Sequence, residues 1–309
     1  MYNNIAVKTT VPILLLIGIG FLSKKIGILK PGDERVFSAY VYYFALPALF
    51  LVDLAETDFT TKNLTFIFVG ITPILIILTI YVFLYFLFKF SKNILYLLIL
   101  STIFGSLTFF GIPFVMFAFP AEIKLVTLSA ASISIISVPI SITVLELYSL
   151  RKSTIAEGIK RVTKRLSKNP LIISILVGVV LSIIGVEIPF PIATSLHMLG
   201  STTATVAIFM LRVFFYGRKY TNIAVAFKLS LLRMVFLPAL AVFITMWFDL
   251  AGVEKAILVV MHGVPVAISN IVLSERYNFY KETIASLILI SSLAAGLYLN
   301  LWLLVLGYS

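Results

Sequence analysis

Long apolar segments recur along almost the whole chain, and they restrict its fold to a bundle of membrane-spanning helices. About 20 apolar residues suffice for a helix to cross the hydrocarbon core of a bilayer. Such segments dominate the 309 residues, of which 61% are hydrophobic and only 12% are charged. The pattern predicts an all-α integral membrane protein with ten transmembrane helices, at about 6–23, 36–54, 64–88, 93–117, 123–148, 169–186, 191–214, 222–248, 255–275 and 283–306.

Basic residues concentrate in alternate connections between these helices. Of the 24 Lys and Arg residues, 18 lie in the odd-numbered loops and only 4 in the even-numbered loops and the N-terminal segment. Because cytoplasmic loops carry the excess of Lys and Arg, we expect a multi-pass protein of the cell membrane with its odd loops cytoplasmic and both termini outside. The bases surround the rim of a bundle that contacts membrane lipids, so we expect no nucleic acid partner for the net charge of +11.

Several classes of chemistry are disfavoured by what the sequence lacks. The chain has no cysteine, which excludes disulfides, thiolate metal sites and thiol catalysis. Its two histidines make a histidine metal site improbable, and no phosphate-binding G-x-x-x-x-G-K-[ST] loop is present. No serine has an evident His/Asp pair. We therefore expect a protein that is not an enzyme and that needs no cofactor and no metal.

Special residues of the first half recur in the second half. An offset of 158 residues places Pro12 on Pro170, Gly27 on Gly185 and Pro31 on Pro189. Five helices are an odd number, so the second set would enter the membrane from the opposite side, as in the inverted repeats of many secondary transporters. The predicted units are a first five-helix repeat at 1–150, a cytoplasmic basic amphipathic linker at 151–168 and an inverted second repeat at 169–309. The linker serves as a tether or, alternatively, binds a regulatory partner.

Glycine and proline interrupt two of the predicted helices at matching places. Gly111 and Pro113 lie within the fourth helix, and Gly263 and Pro265 lie within the ninth. Glycine frees the backbone, whereas proline removes a hydrogen-bond donor and clashes with the preceding turn. Paired breaks in two halves are the best sequence indication of a transporter's substrate site. The alternative is a plain kink in each helix, with the freed carbonyls bonded to neighbouring hydroxyls.

Polar side chains flank both breaks. A half-helix that begins near Pro113 would direct unpaired N–H groups and a positive dipole end into the gap, which would favour an anion. The candidate substrate contacts are the polar residues beside the breaks: Ser106, Thr108, His262, Ser269 and Asn270. His262 is equally interpretable as a hydrogen-bonded structural imidazole, and Asn270 as a contact between helices.

The remaining ionisable residues add one candidate. Arg233 lies deep in the predicted eighth helix, where it would attract an anion or, alternatively, extend to the membrane interface. Acidic residues fall in loops and near helix ends, and Glu146 is expected to be exposed close to the inner surface. Because no carboxylate lies near the centre of a predicted helix, the sequence gives no support to a proton relay of buried acids.

Four segments resemble the auxin efflux carrier family of membrane transporters, within the bile acid/auxin transporter-like superfamily. They are 43–49, which is similar to the proline motif of helix two; Gly105 to Pro113, similar to the helix-four crossover; 169–172, similar to the start of helix six; and 264–277, similar to the helix-nine crossover. The resemblance implies two inverted five-helix repeats, a scaffold domain, a transport domain, and broken, crossing helices 4 and 9. Ser106 stands where the family usually has Asn, Thr205 replaces a proline, and Arg212 replaces a small residue.

These features together predict a secondary active transporter, or permease, of a small organic anion. By resemblance it would be like the auxin and dicarboxylate carriers, work by alternating access at the helix 4/9 crossover, and in some members form a homodimer. One alternative is a sodium-coupled symporter of the bile-acid type. A further alternative is a channel or a non-transporting membrane sensor.

Overall fold

A computed structural model describes residues 4–30, 32–149, 155–210 and 220–308. Arg212 and the predicted start of the linker at 151–154 lie outside this range. The described residues form helices and no strand. The α-helices are α1 (Ile5–Lys25), α2 (Glu34–Tyr40), α3 (Leu46–Ala55), α4 (Thr61–Phe88), α5 (Lys92–Thr102), α6 (Ile112–Ala118), α7 (Ile123–Ser149), α8 (Ile155–Leu166), α9 (Pro170–Ile183), α10 (Phe190–Met210), α11 (Ile223–Leu231), α12 (Leu237–Trp247), α13 (Gly252–Gly263), α14 (Ser269–Tyr277) and α15 (Lys281–Val305).

Seven of the described helices are long and apolar enough to cross a bilayer, or up to eight if α8 and α9 form one bent span. The seven are Ile5–Lys25, Arg35–Ala55, Thr61–Phe88, Ile123–Ser149, Phe190–Met210, Ile223–Trp247 and Lys281–Val305. The prediction of a multi-span, all-helical membrane protein is thereby confirmed. The number of ten stays a prediction, because the fourth and ninth expected spans each consist of two short helices and the sixth corresponds to α9, which has only 14 residues.

Three helices contain a wider, π-helical turn that the sequence did not predict. These turns are Val41–Ala45, Leu107–Gly111 and Leu232–Phe236, and each ends two residues before a proline: Pro47, Pro113 and Pro238. Proline has no N–H to donate, and its ring clashes with a carbonyl of the preceding turn. A wider turn makes room for the ring and lets the helix continue beyond it. The prolines therefore shape these helices without always breaking them.

Two glycines matched by the 158-residue offset play the same local role. Gly27 follows the end of α1 with φ +79°, and Gly185 follows the end of α9 with φ +67°. This left-handed conformation is favourable for glycine and common just after a helix C-terminus. The two helices therefore end in the same way.

One group of helices packs around α3. Helices α9 and α10 lie against α3, and α1 lies against α10. Close backbone approach makes this packing possible, since a side chain at Gly178 or Gly200 would collide with the backbone of α3. We call α1, α3, α9 and α10 the first helix group.

A second group consists of α4, α7, α12, α13 and α15. Within it α4 packs on α7 and α12, and α13 packs on α7, α12 and α15. Both groups combine helices from each half of the chain. The halves 1–150 and 169–309 are therefore intermingled in space, and their relation as repeats stays a prediction.

Candidate functional site

The second predicted break is present, but the prediction that Gly111 and Pro113 break the fourth helix is wrong. These two residues lie within the helical segment Leu107–Ala118, where the wider turn accommodates Pro113, and the half-helix begins at Leu107, not near Pro113. The chain is instead interrupted just before this segment, and the two interruptions touch.

Regular helix stops between α5 and Leu107, at residues 103–106 (the first break), and between α13 and α14, at residues 264–268 (the second break). Two backbone hydrogen bonds join them: the Ser106 N–H donates to the Pro265 carbonyl (2.7 Å), and the Ala267 N–H donates to the Phe104 carbonyl (2.9 Å). This pairing satisfies backbone groups that a broken helix would otherwise leave bare in an apolar surrounding.

A cavity of about 300 Å³ lies beside the first break. It is bounded by Tyr42, 104–109, Ser134, Ser137, Val138, Ile142, Asn169, Leu171 and 267–269. Three of the five predicted polar contacts, Ser106, Thr108 and Ser269, are in this wall. None of the lining residues carries a charged side chain. The cavity therefore combines a largely apolar surface with a few hydroxyl groups.

Two of the hydroxyls lining the cavity have no hydrogen-bond partner among the described residues. They are the buried Oγ atoms of Ser106 and Ser137. Most buried polar atoms in proteins are hydrogen-bonded, either to protein or to bound molecules. A ligand in the cavity would supply the missing partners. Ser137 was not singled out from the sequence; its position on the α7 face toward the first break is what brings it here.

Two helix N-termini open onto the same cavity. The first half-helix begins with residues 107–109, whose N–H groups precede its first bonded N–H, that of Phe110 to the Ser106 carbonyl (3.0 Å). Residues 268–269 likewise precede the first bonded N–H of α14, that of Asn270. Leading N–H groups have no partner within their own helix. Together with the positive ends of the two helix dipoles, they form a setting that favours an anion.

The carbonyl ends of both broken helices converge on one cation. Arg233 is fully buried, and its Nε donates to the Val264 carbonyl (2.7 Å). Its Nη1 donates to the Ile103 carbonyl (3.3 Å) and to the Thr102 carbonyl. The alternative that Arg233 extends to the membrane interface is therefore wrong. Its Nη2 has no hydrogen-bond partner among the residues that the structure describes, and it lies against Gly105, where any side chain would overlap the guanidinium.

Two further side chains bond to carbonyls near the breaks. The Asn270 Nδ2 donates to the Leu100 carbonyl (3.2 Å), and the Tyr298 hydroxyl donates to the Gly263 carbonyl (2.8 Å). Asn270 is only 2% exposed and does not line the cavity, although its Oδ1 has no partner. In this conformation Asn270 acts as a contact between helices.

His262 is fully buried and lies outside the cavity wall. Its Nε2 is 2.9 Å from the Gly70 carbonyl, and its Nδ1 has no partner. The bond to Gly70 fits a structural imidazole that connects α13 to α4.

The four residues expected to shape the crossing are packed behind the cavity. Gly111, Pro113, Gly263 and Pro265 are all absent from its wall. A side chain at Gly111 would lie 2.9 Å from the Met261 sulfur of α13. These glycines and prolines therefore set the backbone path and the close packing of the two broken helices.

Glu146, expected to be exposed, is only 2% exposed. Its carboxylate forms ion pairs with Arg165 (2.9 Å) and Arg161 (3.3 Å) of α8 and accepts a hydrogen bond from the Tyr277 hydroxyl (2.6 Å). The expectation was wrong because the basic linker folds back onto the end of α7. An acidic residue next to a strongly basic segment was the signal in the sequence.

A second ionic cluster lies at the other end of α7. Asp53, 2% exposed, accepts a hydrogen bond from the Thr127 hydroxyl (2.6 Å). His197 lies 3.7 Å from Asp53 and 2.8 Å from Glu56, whose other oxygen pairs with Lys124 (3.1 Å). Partial burial would raise the pKa of the Glu56 carboxyl, but the bonds from His197 and Lys124 outweigh it and hold that pKa below its ordinary value.

Comparison with known proteins gives consistent matches. A family model described as "Membrane transport protein" matches residues 5–157 and 125–303. An uncharacterized transporter of Methanocaldococcus jannaschii, MJ1031, is 26% identical over 304 residues, covering 94% of this chain and 95% of that protein. An uncharacterized transporter of Escherichia coli, YfdV, is 24% identical over 305 residues, covering 95% of each.

Proposed function

This chain belongs to the membrane transport protein family, the auxin efflux carrier family that its motifs resemble, and we propose that it is a secondary transporter of a small organic anion. In this proposal it works by alternating access in the cell membrane, with its odd loops in the cytoplasm. Ten spans form two inverted five-helix repeats, and the broken fourth and ninth helices cross at the substrate site.

Two observations support this topology. The first and second breaks are paired through their backbones, which is the contact expected where two interrupted helices cross. Gly27 and Gly185, matched by the sequence offset, end their helices in the same left-handed conformation. On this view α5 with α6, and α13 with α14, are the halves of two spans that are too short separately.

The preference for an anion rests on one observation, the composition of the cavity wall. Two helix N-termini, at 107–109 and 268–269, open onto it, and no acidic residue lines it. The guanidinium of Arg233 lies directly against Gly105, which is part of the wall. In a water-poor site these positive groups act strongly, because little solvent screens them. A carboxylate would accept bonds from the N–H groups and from Ser106.

The rest of the wall indicates the size and character of the substrate. A cavity of about 300 Å³ is at the small end of ligand sites in proteins. Phe104, Phe109, Val138 and Ile142 make much of the wall apolar. We infer a small carboxylate whose body is apolar, held by its charged end.

The position of the cavity fits alternating access. Tyr42 and Leu171 line it from the side of the first helix group, since they adjoin α3 and lie in α9. The breaks and α7 line it from the other side. Movement of one group past the other would expose a site between them first to one side of the membrane and then to the other.

Thermal unfolding of the purified protein against mono- and dicarboxylates, indole acids and bile acids tests the proposal, each compound with and without sodium. A ligand that binds the native state raises the unfolding temperature by mass action. We expect stabilisation by at least one small carboxylate, and uptake of that compound into proteoliposomes that saturates and shows counterflow.

Matched serine variants test the site itself. Ser106→Ala removes a cavity hydroxyl, whereas Ser129→Ala removes a buried, unpartnered hydroxyl outside the cavity. Loss of one hydrogen bond to a charged ligand weakens binding by about tenfold, so Ser106→Ala should raise the Kd and Ser129→Ala should not. Stabilisation only by neutral or cationic solutes, or non-saturating flux, would refute the proposal.

A further inference from the structure

Arg233 is a buried cation that no carboxylate of the described residues balances. Among the side chains that the structure describes, no acidic group lies within ion-pair distance of it. A buried charge is costly unless polar groups replace its water. Here the replacement comes from three carbonyls, those of Thr102 and Ile103 at the first break and of Val264 at the second.

The carbonyls at this point are the negative ends of two helix dipoles. Helices α5 and α13 both end where Arg233 binds, so their last carbonyls have no partner in the next turn. A cation is favourable at a helix C-terminus. In sodium-coupled carriers with broken helices, such exposed carbonyls and half-helix C-termini hold the coupling ion.

We propose that Arg233 is a built-in substitute for a coupling cation: its guanidinium occupies the carbonyl site between the two breaks and makes the protein independent of sodium. This inference rests on the proposed transport function for its meaning, because independence of an ion matters only to a carrier. The contact between Arg233 and these carbonyls would distinguish the protein from a sodium symporter. The carbonyl groups that would bind a cation are present, and the guanidinium of Arg233 already occupies the space between them.

The residues around these carbonyls accommodate a guanidinium that is always in place. Gly105 leaves room for the guanidinium, since any side chain there would overlap it. One carbonyl is that of the last residue of α5, one belongs to the first break and one to the second, so the guanidinium also joins the two breaks. A second cation entering the same space would meet the positive charge of Arg233 at short range in a poorly screened setting.

Thermal unfolding in detergent, without any organic anion, tests this proposal. The wild-type protein, Arg233→Ala and the control Lys228→Ala are titrated with sodium chloride, choline chloride or methylguanidinium chloride at constant ionic strength. Lys228 is an exposed cation of α11, in the same span. We expect no sodium-specific shift in the wild type or the control. Arg233→Ala should unfold at a lower temperature and gain a saturable stabilisation by sodium or methylguanidinium that choline does not give.

Two results would overturn the proposal. One is a saturable, sodium-specific stabilisation of the wild-type protein. The other is an Arg233→Ala protein that is as stable as the wild type and indifferent to both small cations. If Arg233→Ala does not fold, Arg233→Lys keeps the charge; we expect it to be less stable than the wild type but still unresponsive to sodium, and a sodium response would refute the proposal.

These measurements separate this inference from the transport proposal. Because no organic anion is added, the cation responses do not depend on the substrate. If no carboxylate stabilises or crosses with the wild-type protein while the cation responses follow expectation, the proposed substrate class fails and the assignment of the carbonyl site stands.

Discussion

Each of the two helix breaks has a Gly-aliphatic-Pro sequence nearby, but the second break contains its proline, Pro265, whereas the first break lies upstream of Gly111 and Pro113. The two breaks also face different surroundings. The first break and the turn after it, 104–109, form much of the cavity wall, whereas the second contributes only 267–269. The polar residues near the second break, His262 and Asn270, bond to carbonyls of neighbouring helices instead. The same Gly-aliphatic-Pro pattern therefore interrupts the backbone in the ninth predicted helix and only widens one turn in the fourth. What each interruption does depends on the helices packed against it.

Helix α15 accounts for much of the difference. Its Ser291 hydroxyl accepts a hydrogen bond from the Val266 N–H (3.2 Å), and its Tyr298 donates to the Gly263 carbonyl (2.8 Å). Side chains of its own group thus satisfy two backbone groups at the second break. The first break faces small residues of α7, Ser134 and Ser137, and the start of α9, which leave space. A ligand site arises where the neighbours do not complete the hydrogen bonds.

The largest effect should follow from a change at the contact between the breaks. Gly105→Ala places a Cβ where the guanidinium of Arg233 lies. Displacing a buried charge from its partners typically costs about 3–5 kcal/mol, so we expect a large loss of stability and no transport. Gly296→Ala on α15 is the control, because its Cβ would meet nothing within 4 Å. Equal unfolding temperatures for the two variants would contradict this account of Arg233.

Removing both prolines should abolish transport while leaving the protein inserted. Pro265→Ala restores a hydrogen-bond donor and favours continuous helix through the second break, and Pro113→Ala favours a regular turn in place of the wider turn that follows the first break. Uptake into proteoliposomes, compared at matched protein content with Pro73→Ala in α4, measures the effect. Pro73 lies within a continuous helix. Normal uptake by the double variant would show that the breaks are not needed.

The comparison of the breaks predicts that a change at His262 lowers stability and leaves ligand affinity unchanged, whereas a change at Ser106 lowers ligand affinity. His262→Leu leaves the Gly70 carbonyl without its donor, which costs about 1–3 kcal/mol of unfolding free energy. Ligand affinity should stay unchanged, since His262 is outside the cavity wall. His262→Gln keeps an N–H donor and should lose less stability. A raised Kd in His262→Leu, with normal stability, would instead indicate that the second break contributes to ligand binding through His262.

The smallest effect should come from Glu56, which lies away from both breaks. Its side chain is 34% exposed, so its ion pair with Lys124 is worth on the order of 0.5 kcal/mol. Because bonds from His197 and Lys124 lower the pKa of this carboxyl below 4.5, the contribution is complete above that pH and disappears as the pH falls through the lowered value. Unfolding of Glu56→Gln and wild type should differ slightly at pH 7 and converge in acid. A gap that widens in acid would contradict this sign.

The sequence predicted the apolar helices and the second break because both depend on local chemistry. It misplaced the first break, because a wider turn lets the helix continue past Gly111 and Pro113. Ser106, Thr108 and Ser269 line one cavity, and their contact with a substrate stays a prediction. The sequence could not predict the partners of Arg233, since these are carbonyls 31 and 130 or more positions away along the chain. The burial of Glu146 was missed for the same reason, because only the fold brings α8 onto α7.

The unbalanced charge of Arg233 also has an electrical consequence. If the proposed carrier moves Arg233 together with the breaks, the empty protein would be sensitive to the membrane potential, by up to about 2.3 kcal/mol per 100 mV for movement across the whole field. A monovalent anion in the neighbouring cavity would cancel that charge. The conformational change of the loaded protein would then need no electrical work, and the membrane potential would act on the return of the empty protein.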